Sequence, residues 1–370
     1  MNQRKGNFEA SAGTAKADIL LVGGGLAGLI TATLLARKGW SVVLFEKKRY
    51  PFHRVCGEYV SNETVPFLKA NGLFPQEFAV EKVNRLQLTS VNGKSAEISL
   101  DLGGFGISRY TFDNFLFQVA VKAGVRVVHE SKEEIDAGMA KVVICAHGKR
   151  SKLDYSLNRG FIHKRSPYVG VKYHVHIDHP RGLIALHNFK DGYCGISNVE
   201  NGITNLCYLT HRRNLKENGN IRKMEEEILF RNPFLKSIFE RAKFLFEKPE
   251  VINEISFASK KPVENHILMV GDAAGMITPL CGNGMAMAIH SAKIAFEWTN
   301  SFMSNNITRD QMEEGYTKQW KDLFAQRLWT GRQVQRLFGS ETASNVAVNI
   351  VKHIKPVANF LVKQTHGREF

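Results

Sequence analysis

Three glycines near the start of the chain are spaced so that they could bind a phosphate-containing ligand. Gly23, Gly25 and Gly28 form the pattern G-x-G-x-x-G after the short apolar run 18–22. In such a turn the first glycine permits the sharp bend, the second lets a pyrophosphate approach the backbone, and the third allows close helix–strand packing. The free N–H groups of the following helix N-terminus then face the phosphate oxygens. The residues expected to line this contact are Gly23, Gly25, Leu26, Ala27 and Gly28.

An acidic residue follows at the spacing that a dinucleotide site requires. Glu46 comes directly after the apolar run 41–45, about 20 residues beyond the glycine turn. A carboxylate there can accept hydrogen bonds from ribose hydroxyls and would repel a 2′-phosphate. A glycine turn without any ligand is the alternative, but the turn, the helix and the acid together favour dinucleotide binding.

A second glycine-rich turn occurs in the last third of the chain. It follows the apolar run 267–270 and reads GDAAG from Gly271 onward. An aspartate at a strand end can accept a hydrogen bond from a ribitol-type hydroxyl, and glycines let backbone N–H groups approach a flavin. The candidate cofactor ligands in this region are Gly271, Asp272, Gly275, Pro279, Gly282, Asn283 and Gly284.

At these two turns the chain resembles the FAD-dependent oxidoreductases of the para-hydroxybenzoate hydroxylase type. That superfamily includes the group A aromatic monooxygenases, the geranylgeranyl reductases and the flavin halogenases. The resemblance covers residues 17–300, and the glycine fingerprint and the GDAAG turn are its specific parts. It implies non-covalent FAD, with Glu46 binding the adenosine ribose and Asp272 the ribityl chain of the flavin.

Two further stretches resemble cofactor-binding elements of this superfamily. The run RVCGE, residues 54–58, is similar to the R-x-C-G-E stretch of the reductase-like branch, which implies that Arg54, Cys56 and Gly57 lie near the flavin. Arg109, with Asp113 four residues later, resembles an Arg-to-Asp element whose arginine touches FAD. Both arginines could instead be plain surface cations. For Cys56 a packed thiol is favoured over a covalent flavin link.

Several family signatures are altered or missing. The usual A-D-G-x-x-S motif reads AHGKRS here, with His147 in place of the aspartate. NAD(P)H is the expected electron donor, but this substitution puts its usual binding mode in doubt. The halogenase W-x-W-x-I-P signature is absent, and residues 192–197 replace the aromatic stretch of the reductase branch.

One histidine pattern raises the question of a metal. His174, His176 and Asp178 alternate along one strand and therefore share a face. This face could hold a metal, but a polar solvent-facing surface is favoured, so no metal site is predicted. No residue carries a signature of a catalytic acid or base.

The elements that must position these residues are typical of an α/β fold. Runs 18–22, 26–38 and 41–45 predict a strand, a helix and a strand, and hence a parallel sheet. Alternating segments at 82–90, 95–102 and 168–210 predict a mostly antiparallel sheet. The predicted architecture is a Rossmann-type FAD-binding domain of the glutathione reductase kind, interleaved with an antiparallel-sheet substrate domain and followed by a helical C-terminus. The predicted boundaries are a disordered tail at 1–16, an FAD-binding domain at 17–80, 105–155 and 262–300, a substrate domain at 81–104 and 156–261, and C-terminal helices at 301–370.

Composition narrows the class of protein and its partners. The 370 residues carry 50 basic and 35 acidic side chains, a net charge of +15 that attracts anions. No nucleic-acid-binding motif is evident, so no nucleic-acid partner is expected. No apolar run approaches membrane-spanning length, the N-terminus lacks a signal-peptide pattern, and the five cysteines form no C-x-x-C pair. These features predict a cytoplasmic protein with reduced thiols.

A basic amphipathic segment near the C-terminus raises the question of a peripheral membrane contact. Apolar residues recur at helical spacing over 346–361, with lysines nearby and a proline at 356. Such a segment could lie in the inner membrane surface as a peripheral contact, or it could pack on the core of the protein itself. The sequence leaves the oligomeric state open.

The favoured function is that of a monooxygenase. It would hydroxylate an apolar aromatic or polyketide-like small molecule of secondary metabolism through a flavin C4a-hydroperoxide. The first alternative is a reductase or desaturase of prenyl or acyl chains, similar to geranylgeranyl reductase. An alternative from another class is a non-redox lipid-binding carrier of the same fold.

Overall fold

The computed structural model describes residues 17–163, 166–278, 282–337, 341–353 and 367–370. Within them the strands are, in chain order, β1 (Ile19–Val22), β2 (Val42–Phe45), β3 (Tyr59–Ser61), β4 (Glu81–Thr89), β5 (Ser95–Gly106), β6 (Arg126–Val128), β7 (Val142–Cys145), β8 (Tyr168–His176), β9 (Gly182–Phe189), β10 (Gly192–Asn198), β11 (Thr204–His211), β12 (Lys243–Phe244), β13 (Glu250–Ile255), β14 (Val263–Glu264) and β15 (Ile267–Met269). The helices are α1 (Leu26–Arg37), α2 (Val65–Ala70), α3 (Arg109–Lys122), α4 (Lys152–Ser156), α5 (Arg212–Asn218), α6 (Ile221–Ile228), α7 (Pro233–Arg241), α8 (Gly284–Met303), α9 (Arg309–Leu337) and α10 (Glu341–His353).

The first sheet carries the glycine turns. In the described residues its strand order is β14-β15-β7-β1-β2-β6, and every pair is parallel except β14 with β15. Helices α1 and α8 pack together on it, and the strands are buried on both faces because helices cover a parallel sheet. The predicted strand, helix and strand at the start of the chain are therefore confirmed.

The second sheet is mostly antiparallel, as predicted. Its order in the described residues is β12-β8-β11-β10-β9-β4-β5-β3, with β13 also paired to β8. The hairpin of β4 and β5 forms around Gly93, whose φ of 77° suits the tight turn. Strand β3 pairs with β5, so the segment 17–80 contributes to both sheets.

The region 221–241 is helical but divided into two helices, α6 and α7, with Asn232 between them. The Asn232 side chain accepts from the Phe234 N–H and caps α7, and Pro233 occupies its first turn. Proline suits the start of a helix and disrupts an interior, which explains the break.

The C-terminal part is helical where it is described. Helix α10 packs against β5 and β4 and buries Val348 and Val351. On the same helix, Val346 is 52% exposed and Ile350 37% exposed, so core packing accounts for only part of the amphipathic pattern. Residues 354–366 and the predicted tail at 1–16 lie outside the described residues. Within the described residues, the helices do not combine the length and apolarity needed to span a bilayer.

Candidate functional site

A cavity of about 1010 Å³ is lined by residues of both sheets. On one side it is bounded by the loops at the carboxyl ends of β1, β7 and β15, where open α/β sheets usually bind ligands. On the other side it is bounded by β9, β10, β11 and α10. Its volume is at the upper end of the range of about 300–1,000 Å³ for small-molecule sites, which leaves room for a cofactor and part of a substrate.

The first glycine turn has the geometry that close phosphate approach requires. Gly23 has a φ of 108°, and an added Cβ would lie 2.3 Å from the Ala146 carbonyl oxygen. At Gly28 a Cβ would lie 1.9 Å from the Gly23 carbonyl oxygen, so this residue packs the helix onto the turn and does not line the cavity. Gly25 is the N-cap of α1 and provides no capping side chain. Its neighbours in the first helical turn therefore present N–H groups to the cavity.

Glu46 lies beside this turn and can accept a further hydrogen bond. It is buried, and one carboxylate oxygen accepts from the Gly24 N–H at 2.9 Å and from Arg54 at 3.1 Å. The other oxygen accepts from the Lys48 N–H at 3.0 Å. Because each carboxylate oxygen has two lone pairs, the second oxygen can still accept a ribose hydroxyl.

The two predicted arginines line the cavity and are paired with buried carboxylates. Arg54 pairs with Asp113 at 2.8 Å and with Glu46, and Arg109 pairs with Asp113 at 2.7 Å. The Arg109 Nη2 lies 3.5 Å from the position that a Cβ on Gly25 would occupy. Two cations and two carboxylates thus form a neutral cluster next to the glycine turn.

The loop from Arg54 to Gly57 is fixed by the second sheet. Its backbone carbonyls at Arg54, Cys56 and Gly57 accept hydrogen bonds that are 3.1–3.4 Å long. The donors are Lys172, Ser197 and Asn205, which come from three different strands. Burial raises the pKa of the Cys56 thiol, consistent with the packed thiol favoured from sequence.

A buried charge cluster anchors the end of this loop, and sequence reasoning missed it. Glu58 hydrogen-bonds to the Lys172 ammonium, and its other oxygen lies 2.7 Å from His174 Nε2. His174 therefore does not lie on a polar solvent-facing surface as expected, whereas His176 is exposed and lies 3.2 Å from the Gly202 carbonyl. The sequence carried one signal for this cluster. Lys172 and His174 alternate along a strand and so share a face, which could pair with Glu58, the acid that ends RVCGE. Among the described residues no group of side chains could hold a metal ion.

The second glycine turn contributes fewer residues to the cavity than predicted. Gly271, Asp272, Gly282 and Gly284 line it, and burial raises the pKa of Asp272. Gly275 packs instead against Trp320, where an added Cβ would be 2.7 Å from the indole.

Asn283 and Pro279 are the remaining predicted residues of this region. Asn283 is buried and does not line the cavity. Pro279 lies outside the described residues.

His147, which replaces the usual aspartate, has an internal partner. Its Nε2 lies 3.2 Å from Asp154, which also pairs with Arg159 at 2.8 Å. Burial alone would raise the pKa of Asp154, but the contacts with His147 and Arg159 outweigh it and lower that pKa to about 2. Asp154 is thus a buried anion that fixes the loop after β7.

The part of the cavity bounded by the second sheet and α10 is apolar. It is lined by side chains that include Leu88, Ile98, Leu100, Leu186, Leu209 and Val348. Because these side chains offer no hydrogen-bonding groups, they favour an apolar ligand. We refer to this part as the apolar half.

Comparison with known proteins identifies an FAD-binding domain in the part of the chain that carries the first glycine turn. Residues 16–133 match the family model of the FAD binding domain. The digeranylgeranylglycerophospholipid reductase of Methanosarcina acetivorans is 25% identical to the chain, over 82% of the chain and 80% of the relative.

Solved structures show the same fold at low sequence identity. The flavin-dependent brominase Bmp2 superposes with a TM-score of 0.76 at 16% identity, covering 94% of this chain and 93% of its own. A geranylgeranyl bacteriochlorophyll reductase-like protein from Thermoplasma acidophilum gives a TM-score of 0.74 at 18% identity, covering 94% and 96%. The predicted fold class and the predicted resemblance are both confirmed.

Proposed function

We propose that this FAD-dependent oxidoreductase reduces carbon–carbon double bonds in an apolar prenyl or acyl chain. The single observation that carries this proposal is that the glycine turns open directly into the apolar half of one cavity. The relative from Methanosarcina acetivorans, whose name describes a reductase of a prenyl-chain lipid, supports the same choice. We therefore favour the first alternative of the sequence analysis over the monooxygenase.

The residues at the glycine turns fit FAD. The α1 N-terminus would hold the pyrophosphate, Glu46 the adenosine ribose and Asp272 the ribityl chain. Arg109, held by Asp113, would border the space above Gly25 through which the phosphates approach. When bound, FAD supplies hydride transfer, which no side chain of the protein can provide.

The apolar half would bind the chain and exclude water from the reacting bond. Burial of each methylene contributes about 0.8 kcal/mol, so an extended prenyl or acyl chain needs few polar contacts. Reduction of one double bond adds a hydride and a proton, and FAD in its fully reduced form, FADH2, would supply both.

The experiment is anaerobic mixing of the photoreduced holoprotein with a lipid that carries geranylgeranyl chains. We expect the oxidised-flavin absorbance to return and the lipid mass to increase by a pair of hydrogens. Reoxidation that requires oxygen and adds an oxygen atom to the substrate would instead support the monooxygenase. Photoreduction makes this test independent of NAD(P)H, which remains a prediction as the electron donor.

A further inference from the structure

The loop after β7 lies between the two glycine turns. In the first sheet β7 is the neighbour of both β1 and β15, whose carboxyl ends lead into these turns. The backbone of Ala146 and His147 contacts Gly23, because a Cβ added to Gly23 would clash with the backbone atoms of both residues. On the other side, the Lys260 ammonium donates to the carbonyls of Lys149 and Asp272, 2.7 Å from each.

This loop carries a cation without a hydrogen-bond partner. Lys149 lines the cavity, and its Nζ is buried with no hydrogen-bond acceptor among the described residues. Burial lowers the pKa of Lys149 to about 8, although Glu254 and Asp272 act in the opposite direction. Glu254 is already paired with Arg150 at 2.6 Å. A buried ammonium that donates to no acceptor is unfavourable, so its presence in the wall indicates a ligand with an anionic oxygen that can accept from it.

The two arginines at the first turn are already neutralised. Arg54 and Arg109 are matched by the carboxylates of Glu46 and Asp113, so this cluster has no net charge to offer. The α1 N-terminus contributes only about half an elementary positive charge. A bound pyrophosphate, which carries two negative charges, would therefore be stabilised further by an additional cation.

We propose that the Lys149 ammonium binds the pyrophosphate of FAD. The loop that carries Lys149 lies between the first turn and Asp272, which corresponds to the part of the cofactor that joins the adenosine to the ribityl chain. This inference rests on FAD occupying the cavity as proposed above. Lys149 would then be a cofactor ligand from the altered AHGKRS motif, in addition to the ligands that the superfamily resemblance implies.

The test measures FAD affinity of the full-length chain, freed of flavin, for wild type, Lys149→Gln, Lys149→Arg and Lys141→Gln. Lys141 is the matched control because it directly precedes β7, is exposed, pairs with Asp18 at 2.9 Å and does not line the cavity. A charge-assisted hydrogen bond to a phosphate contributes about 1.5–3 kcal/mol. We therefore expect Lys149→Gln to raise the Kd for FAD about tenfold or more. Lys149→Arg should stay near wild type, and Lys141→Gln should be unchanged.

Two further measurements separate a phosphate contact from other roles. The midpoint potential of the flavin in the saturated Lys149→Gln holoprotein should equal that of wild type, because the pyrophosphate is remote from the redox centre. The flavin-free Lys149→Gln protein should be at least as stable as wild type, since the substitution removes an unpaired buried charge.

Two outcomes would overturn the proposal. One is an unchanged Kd in Lys149→Gln, and the other is a shifted midpoint potential, which would place the ammonium at the flavin ring. Failure of the wild-type chain to bind FAD at all would instead refute the cofactor assignment on which the proposal rests.

Discussion

His174 Nε2 lies 2.7 Å from the Glu58 carboxylate, which joins strand β8 of the second sheet to the end of the RVCGE loop. Lys172 approaches the other oxygen of the same carboxylate, and all three side chains are at most 3% exposed. Burial alone would raise the pKa of Glu58, but the contacts with Lys172 and His174 outweigh it and lower that pKa. A charge cluster therefore holds the substrate-side sheet against the loop expected beside the flavin.

Glu58→Gln should destabilise the protein strongly. The substitution leaves the Lys172 ammonium buried without a counter-charge, which typically costs about 3–5 kcal/mol. Urea denaturation would measure the loss in the free energy of unfolding. Glu97→Gln is the control, because Glu97 pairs with Arg85 at the surface and such pairs contribute at most about 1 kcal/mol. Equal losses in the two variants would contradict the role assigned to the cluster.

Gly25→Ala should reduce FAD affinity while leaving the fold intact. The Gly25 backbone is extended, with φ −86°, and a Cβ would meet no atom closer than 3.5 Å. The methyl group would instead occupy the space through which the pyrophosphate approaches, so we expect the Kd for FAD to rise about tenfold or more. Flavin fluorescence titration and a thermal melt would measure both effects. Gly160→Ala, at an open site away from the cavity, should change neither.

Gly195→Val should weaken the binding of long apolar substrates without affecting FAD. Gly195 lines the cavity, and a Cβ there would make an ordinary 3.5 Å contact with Leu186. The two methyl groups of valine would then fill part of the apolar half. We expect a higher KM for long prenyl or acyl chains than for short ones, measured by flavin reoxidation. A KM that stays unchanged at every chain length would show that the substrate does not extend to this residue.

Replacement of both Val346 and Ile350 by serine should reduce binding to anionic liposomes. The two side chains are exposed one turn apart on α10, and Ile350 also lines the cavity. A bilayer contact here would give an apolar substrate a direct entry and would be strengthened by the positive charge of the chain. Flotation assays would compare the double variant with Val121→Ser, an exposed valine on α3. Absence of wild-type protein from the lipid fraction would refute the membrane contact.

Glu225→Gln should make stability less dependent on pH. Burial raises the pKa of Glu225 to about 7, while its hydrogen bonds from Tyr208 and Tyr173 act in the opposite direction. Since the folded-state pKa lies above the ordinary value of 4.5, the stability from this group is complete below about pH 4.5. That stability is then lost as the pH rises through about 7.

The substitution removes this loss, because glutamine keeps an oxygen for both tyrosines and cannot ionise. At pH 8 the variant should exceed wild type in unfolding free energy by up to about 3 kcal/mol. The two proteins should converge near pH 4.5 in chemical denaturation. Glu240→Gln, an exposed acid on α7, should retain the wild-type pH profile.

The sequence by itself determined the features that depend on neighbouring residues. The apolar run, the spacing of Gly23, Gly25 and Gly28, and the helix that follows identify the turn, because its backbone conformation depends on those residues alone. The GDAAG turn and the alternating strands of the second sheet can likewise be identified from residues that are neighbours in the chain. These signals were sufficient for the fold class and for the FAD-binding domain.

Only the tertiary structure decided which side chains meet. Glu58 and its partners are 114 and 116 residues apart in the chain, and their contact depends on how a loop is placed against a separate sheet. The same holds for the ammonium of Lys149, which meets no acceptor in the described part of the chain, and for Gly275, which faces Trp320 and not the cavity. Local periodicity fixes the face on which a residue lies but not what packs against that face, because the partner comes from a distant part of the chain.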